Sequence, residues 1–201
     1  ATVNLKEVGV FEPLQKRIEK EGKSLPGGIL KVDPFINHQV DPTLMKGCGK
    51  ALAELFEPTK PTKILTAEIS GIAPALMTAY FLDVPVVFAR KHKPITMPDT
   101  VYLTVAPSHT KGQTVELIVS PEYLGAGERV LIIDDFLASG ATIAGLVRLA
   151  QTAGAKIVGI GTLIEKTFEE GRERLSSLNV PIEALVSIAA LDSGQIVFAE
   201  D

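Results

Sequence analysis

Apolar and polar positions along this chain switch between two periods. Residues 11–21, FEPLQKRIEKE, carry Leu14 and Ile18 at helical spacing among charges, and Gly22 ends the segment, which predicts a helix. Ile29-Leu30-Lys31-Val32 predicts a short strand stopped by Asp33-Pro34. Asp41-Pro42 reads as a cap followed by a first-turn proline. The helix it opens runs over 42–56, with Leu44, Met45, Cys48, Leu52 and Phe56 on one face. A strand over 63–67, a helix over 72–82 and a strand over 85–89 follow. The order returns as a strand over 130–133, a helix over 141–152 stopped by Gly154, and a strand over 157–164. Strand–helix–strand alternation at these lengths predicts an α/β fold with a parallel, twisted sheet and right-handed crossovers.

Two stretches depart from this rhythm. Residues 94–114, PITMPDTVYLTVAPSHTKGQT, mix Pro, Thr, Ser and Gly with a few alternating apolar residues. A long, weakly patterned insert between core strands predicts a functional lid or a twisted hairpin. Ala184 to Phe198 alternates like two short strands around Asp192-Ser193-Gly194, a hairpin signal.

The candidate chemistry concentrates in Val130 to Thr142, VLIIDDFLASGAT. Apolar residues run into Asp134 and Asp135, and a loop of small and hydroxyl residues then opens a helix. The first turn of a helix has unpaired N–H groups and a dipole that favours an anion. Gly140 permits close approach, and Ser139 and Thr142 add hydroxyl donors. Carboxylates at the end of a buried strand need solvent or partners, and ligands of open α/β sheets bind at strand C-terminal ends.

Apolar strand, paired acids, small loop and Ser-Gly-Ala-Thr together resemble the phosphoribosyl diphosphate (PRPP) signature of the type I phosphoribosyltransferases. The resemblance implies that family's fold: a parallel twisted sheet flanked by helices, one domain over 1–201, and a small hood from about 1–40 and 165–201. It makes 94–114 a flexible lid. It assigns Asp134 and Asp135 to the ribose hydroxyls and Ala138, Ser139, Gly140, Ala141 and Thr142 to the 5′-phosphate. It implies Mg²⁺ held mainly by substrate oxygens, and a homodimer. Glu68-Ile69-Ser70-Gly71 resembles the diphosphate loop, with Ser70 and Gly71 as the matching positions. The family's loop is richer in glycine and often basic, so Glu68 is a departure. Arg90-Lys91-His92-Lys93 resembles a basic stretch that reaches diphosphate oxygens, with Arg90 and Lys91 the first candidates.

Within the family, three further segments resemble the bacterial members that use xanthine. These are Leu30 to Pro42, Ala89 to Lys93, and Glu165-Lys166-Thr167-Phe168. The resemblance carries Leu30, Asn37 and Lys166 over as base contacts, and Phe168 is a candidate stacking partner. An oxo-purine offers carbonyl acceptors to an ammonium or amide donor, whereas adenine offers a donor that a lysine opposes. The expected reaction is transfer of the 5-phosphoribosyl group from PRPP to N9 of xanthine. A hypoxanthine/guanine or adenine transferase is the alternative within the family. A non-catalytic PRPP-binding regulator is the alternative of another class, although the residues before Val32 carry no basic recognition helix.

Composition narrows the remaining classes. The 201 residues are 46% hydrophobic and 22% charged, as in an ordinary globular protein, and suffice for a sizeable core. A net charge of −4 and 5% aromatic residues give no general attraction to nucleic acid or acidic membranes. Cys48 is alone, so no internal disulfide forms, and with no long apolar run the expected location is the cytoplasm. Gly159-Ile160-Gly161 lacks a third glycine and lies in a strand, which weighs against dinucleotide binding. His38, His92 and His109 show no metal-ligand spacing.

Overall fold

A computed structural model describes residues 10–107, 114–192 and 194–199. In chain order the elements are α1 (Glu12–Glu21), β1 (Lys23–Leu25), β2 (Ile29–Lys31), α2 (Pro42–Phe56), β3 (Lys63–Ala67), α3 (Ile72–Leu82), β4 (Val86–Ala89), β5 (Tyr102–Pro107), β6 (Thr114–Val119), β7 (Arg129–Leu137), α4 (Ala141–Thr152), β8 (Lys156–Lys166), α5 (Gly171–Leu175), β9 (Ile182–Asp192) and β10 (Gln195–Phe198). A π-turn over Asp33–Asn37 links β2 to α2.

Among the described residues, the central sheet has the order β10-β9-β8-β7-β3-β4. All its pairings are parallel except that of β10 with β9. Helices cover both faces, which is why the central strands read as unbroken apolar runs. On one face Leu14, Ile18, Leu52 and Phe56 pack with Ile64, Leu131 and Ile133. On the other Ile143, Leu146 and Leu149 of α4 pack with Leu65, Val130, Ile132 and Ile160. Asp41 caps α2 as expected, its Oδ1 accepting from the N–H groups of Thr43 and Leu44 at 3.0 Å. Arg17 pairs with the other Asp41 oxygen at 2.9 Å and so joins α1 to α2.

The glycines of β8 have a packing role. A Cβ at Gly159 or Gly161 would lie 2.6 or 2.8 Å from the Phe56 ring. Their bare backbone lets the ring lie on the sheet, which accounts for the isolated Gly-Ile-Gly without any nucleotide.

Several boundaries differ from the expected ones. The strand expected over 130–133 runs on to Leu137, because Asp134 and Phe136 keep their register with Thr162 and Ile164 of β8. The acids therefore lie inside the strand rather than after it. The C-terminal hairpin is one long strand, β9, returning through the short β10; Ser193 of its turn lies outside the described residues. Ile29–Lys31 pairs with Lys23–Leu25, a strand too short to show a period. The 94–114 segment contains β5, paired antiparallel with β6, and its positions 108–113, with His109, lie outside the described residues.

Replacing Phe56 by Ala should cost about 3–5 kcal/mol, because the two glycines leave nothing to refill the space. Chemical denaturation would measure it, and a loss below about 1 kcal/mol would show that Phe56 does not anchor α2 to the sheet.

Candidate active site

Three strand ends converge at the C-terminal edge of the sheet. β7 brings Asp134 and Asp135, β3 leads into residues 68–71, and β4 leads into Arg90 and Lys91. A cavity of about 190 Å³ lies between them, lined by both acids, Glu68, Ser70, Lys91 and Thr142. Ala106 and Pro107 of β5, within the 94–114 segment, and Val115 and Leu117 of β6 also line it; the last two lie outside the stretch that sequence patterning singled out.

The acids are nearly inaccessible, at 7% and 8% exposure. Local backbone turns supply part of their compensation. The N–H of Asp135 donates to Asp134 Oδ1 and the N–H of Phe136 to Asp135 Oδ1, both at 3.0 Å. Burial first, and then the Asp135 carboxyl beside it, push the Asp134 carboxyl well above the usual range; the Lys91 ammonium partly opposes them. A Cβ on Gly71 would lie 2.7 Å from Asp134 Oδ1, so that glycine lets residues 68–71 close over the acid. The Oγ1 atoms of buried Thr66 and Thr162, on the strands flanking β7, find no hydrogen-bond partner among the described residues.

The loop over 138–142 turns at Gly140, whose φ of +73° lies in the left-handed region. Ser139 Oγ accepts from the Ala141 N–H at 3.4 Å, and the first intrahelical bond of α4 runs from Ala144 N–H to Gly140 O at 2.8 Å. The amides of the first turn precede that bond and so have no partner within the helix, and Thr142 of that turn lines the cavity with the acids.

The basic stretch divides. Lys91 lines the cavity, and its backbone N–H donates to Glu68 Oε1 at 2.7 Å. Arg90 does not line it: its Nε donates to Glu68 Oε2 at 2.9 Å, and its guanidinium lies over the Phe88 ring. Glu68, the residue that departs from the family's loop, thus fastens the basic stretch to the β3–α3 turn. Lys93 pairs with Asp99 instead. The Glu68–Ile69 peptide bond, which precedes no proline, is cis.

The expected base contacts lie beyond Phe136. Lys166, 9% exposed, donates to Gly28 O at 2.8 Å, stands 3.5 Å from Glu169 and lies over the Phe136 ring. It does not pair with its neighbour Glu165, whose carboxylate goes to Arg172. Phe168 is partly exposed, and its ring stands against Gly28 of the β1–β2 turn. Leu30 is buried with the core on this side, while Asn37 ends the π-turn exposed. The structure therefore brings Lys166 together with Phe136 and with Gly28, against which Phe168 stands, and does not bury Asn37 with them. Phe136 and Gly28 were not foreseen, since only the pairing of β7 with β8 and the closure of the small hairpin bring them to Lys166.

The Phosphoribosyl transferase domain family matches residues 39–186, a span that contains both acids, the 138–142 loop and Lys166. The chain belongs to the phosphoribosyltransferase family. It is 50% identical to a xanthine phosphoribosyltransferase of Deinococcus deserti, over 91% of this chain and 95% of that one. It is 47% identical to a xanthine phosphoribosyltransferase of Levilactobacillus brevis, over 94% and 98% of the two chains. Among solved structures, an adenine phosphoribosyltransferase from Thermoanaerobacter pseudethanolicus superposes with a TM-score of 0.70 at 26% identity, covering 87% of this chain and 99% of that one. The fold is that of the type I phosphoribosyltransferases. Among the described residues no helix is long and apolar enough to cross a membrane.

The raised Asp134 carboxyl predicts a pH-dependent stability. A carboxyl whose folded-state pKa lies above its unfolded value favours folding at low pH, and that contribution is lost as pH rises through the folded pKa. Asp134→Asn should therefore raise the Tm of the ligand-free protein at pH 8, with the gain shrinking toward pH 5. Calorimetry across that range checks it; a Tm that falls at pH 8 would contradict the burial argument.

Proposed function

We propose that this phosphoribosyltransferase moves the 5-phosphoribosyl group of PRPP to N9 of xanthine, giving xanthosine 5′-monophosphate and diphosphate in purine salvage. The observation that carries the choice of base is Lys166, a buried side chain that lies over the Phe136 ring and donates to the carbonyl of Gly28, beside which Phe168 stands. Its donors suit the carbonyl oxygens of an oxo-purine and oppose the amino group of adenine. The high identity to xanthine phosphoribosyltransferases supports the same reading. Leu30 supplies apolar contact, and Asn37 reaches the base from the rim.

Each site residue has a task in this reading. Asp134 and Asp135 each keep one carboxylate oxygen beyond its backbone bond and accept from the ribose hydroxyls. Ala138, Ser139, Gly140, Ala141 and Thr142 receive the 5′-phosphate at the start of α4. Ser70 and Gly71 present the β3–α3 turn to the diphosphate. Lys91 supplies a positive charge there, and Arg90 joins it by exchanging the Glu68 carboxylate for diphosphate oxygens. Holding N9 against C1 of the ribose provides much of the rate, through an oxocarbenium-like transition state. The described residues include no cluster of three or more side chains placed to hold a metal ion, and of the three carboxylates that line the cavity, Glu68 is already engaged by Arg90 and the Lys91 N–H, which leaves Asp134 and Asp135. That donor set fits Mg²⁺ carried mostly on substrate oxygens and water, which would neutralise charge on the departing diphosphate.

The hood, the lid over 94–114 and location in the cytoplasm belong to the same proposal, as does a homodimer. Leu76 and Tyr80 on α3, with Phe88 on the edge strand β4 and Ile95 after it, are exposed apolar residues that a second copy would cover. Sedimentation is expected to give twice the monomer mass; a monomer at micromolar concentration would remove that part of the proposal.

The direct test is diphosphate release from PRPP and Mg²⁺ with xanthine, guanine, hypoxanthine and adenine in parallel. Xanthine should lead. Turnover led by adenine would overturn the base assignment, and binding of PRPP without turnover would favour a regulator. Lys166→Ala should raise the KM for xanthine at least tenfold, about 1.4 kcal/mol, with little change for PRPP. An equal rise for both substrates would count against its role.

A further inference from the structure

Arg172 and Glu165 lie outside every role assigned above, yet they form one of the most fully engaged ion pairs in the protein. Arg172 Nε donates to Glu165 Oε1 at 2.8 Å and Arg172 Nη2 to Oε2 at 2.5 Å, a two-pronged pair with fixed geometry. Its Nη1 donates to Ile182 O, at the start of β9, at 2.7 Å. The Glu165 side chain is 4% exposed, so the guanidinium compensates a carboxylate that has almost no water. The Glu183 carboxylate, on β9, is the other charge that acts on both members of the pair.

The residue beside this clamp touches the phosphate loop. Gly171, the first residue of α5, packs so closely that a Cβ there would overlap Ala138 O and lie 3.0 Å from Gly140 N. In return, a Cβ on Gly140 would lie 3.0 Å from Gly171 Cα. Two glycine backbones thus meet back to back, one on the loop that leads into α4 and one on α5. Leu137 closes the contact from below, and Leu175 is buried in the same core as Leu137. The chain between Glu165 and Arg172 is a turn held by Thr167 N–H to Ile188 O and Glu169 N–H to Lys166 O. α5 itself is only five residues long, too short to hold its own position.

We propose that Arg172 is a positioning residue for the 5′-phosphate. By gripping Glu165 and Ile182 O it presses Gly171 against the back of the 138–142 loop and keeps the first-turn amides of α4 in their anion-receiving arrangement. Lys166 has an anchor outside the 165–172 turn in Gly28 O, so the clamp acts mainly on the phosphate end. The inference rests on the PRPP reading of the 138–142 loop.

The test compares Arg172→Met, Arg172→Lys, Glu165→Gln and the double variant Glu165→Gln/Arg172→Met with the wild type, measuring both KM values, kcat and Tm. The wild type must first turn over PRPP; if it does not, the functional reading fails and not this one. Given wild-type turnover, Arg172→Met should raise the KM for PRPP at least tenfold and change that for xanthine less than threefold. Arg172→Lys should recover part of the loss. The double variant should be no worse than the more damaged single one, since both remove the same clamp. A lower Tm with unchanged KM values, or an equal rise in both, would overturn the proposal. If Arg172→Met does not fold, the milder Arg172→Lys and Glu165→Gln carry the same comparison, and an unchanged PRPP KM in both overturns it.

Discussion

Everything at the working end of this molecule answers to two carboxyls buried within a strand. Asp134 and Asp135 sit in β7 with a neighbouring strand on each side, where water does little for them. Such groups cost free energy unless hydrogen bonds or opposite charge offset it. The surroundings provide both in part: backbone N–H groups for one oxygen of each acid, and Lys91 across the cavity. The compensation is incomplete, and the raised Asp134 carboxyl is its consequence. In the proposed reading, the hydroxyls of the ribose donate to the acids and complete that compensation.

The sheet order explains why the loops meet. With β7 at the centre, β3 on one side and β8 on the other, the segments after β3, β4, β7 and β8 all emerge at one edge. The segment after β7 leads to the start of α4, and β8 ends on Lys166. The start of α4 and Lys166, the phosphate and base ends of the proposed function, therefore follow adjacent strands. The turn from Glu165 to Arg172 links them, with Lys166 bonded to Gly28 O at one end and Gly171 packed against Ala138 and Gly140 at the other.

The fold was legible where burial on both faces left continuous apolar runs, as at Lys63–Ala67 and Val130–Ile133, and where caps marked helix starts, as at Asp41-Pro42. The acids were legible because charge after such a run is uncommon. Their place inside β7 was not, since only pairing with Thr162 and Ile164 continues a strand through two carboxylates. Arg90 read as a free phosphate ligand because its partner Glu68 is 22 residues away. The β1 strand and α5 are too short to show a period, and so the turn at Gly28 and the backing glycine Gly171 had no signal of their own. Gly159 and Gly161 were a poor match to a dinucleotide-binding loop in the sequence, and their bare backbone instead makes room for Phe56.

The central claim is that the buried acid pair exists to hold the ribose of PRPP. Calorimetric titration of PRPP with Mg²⁺ into Asp134→Asn/Asp135→Asn, beside the wild type, tests it most directly. Binding should weaken at least about a hundredfold, because bonds to charged acceptors are replaced by weaker neutral ones, while circular dichroism shows the fold intact. Wild-type affinity in a folded double variant would contradict the account.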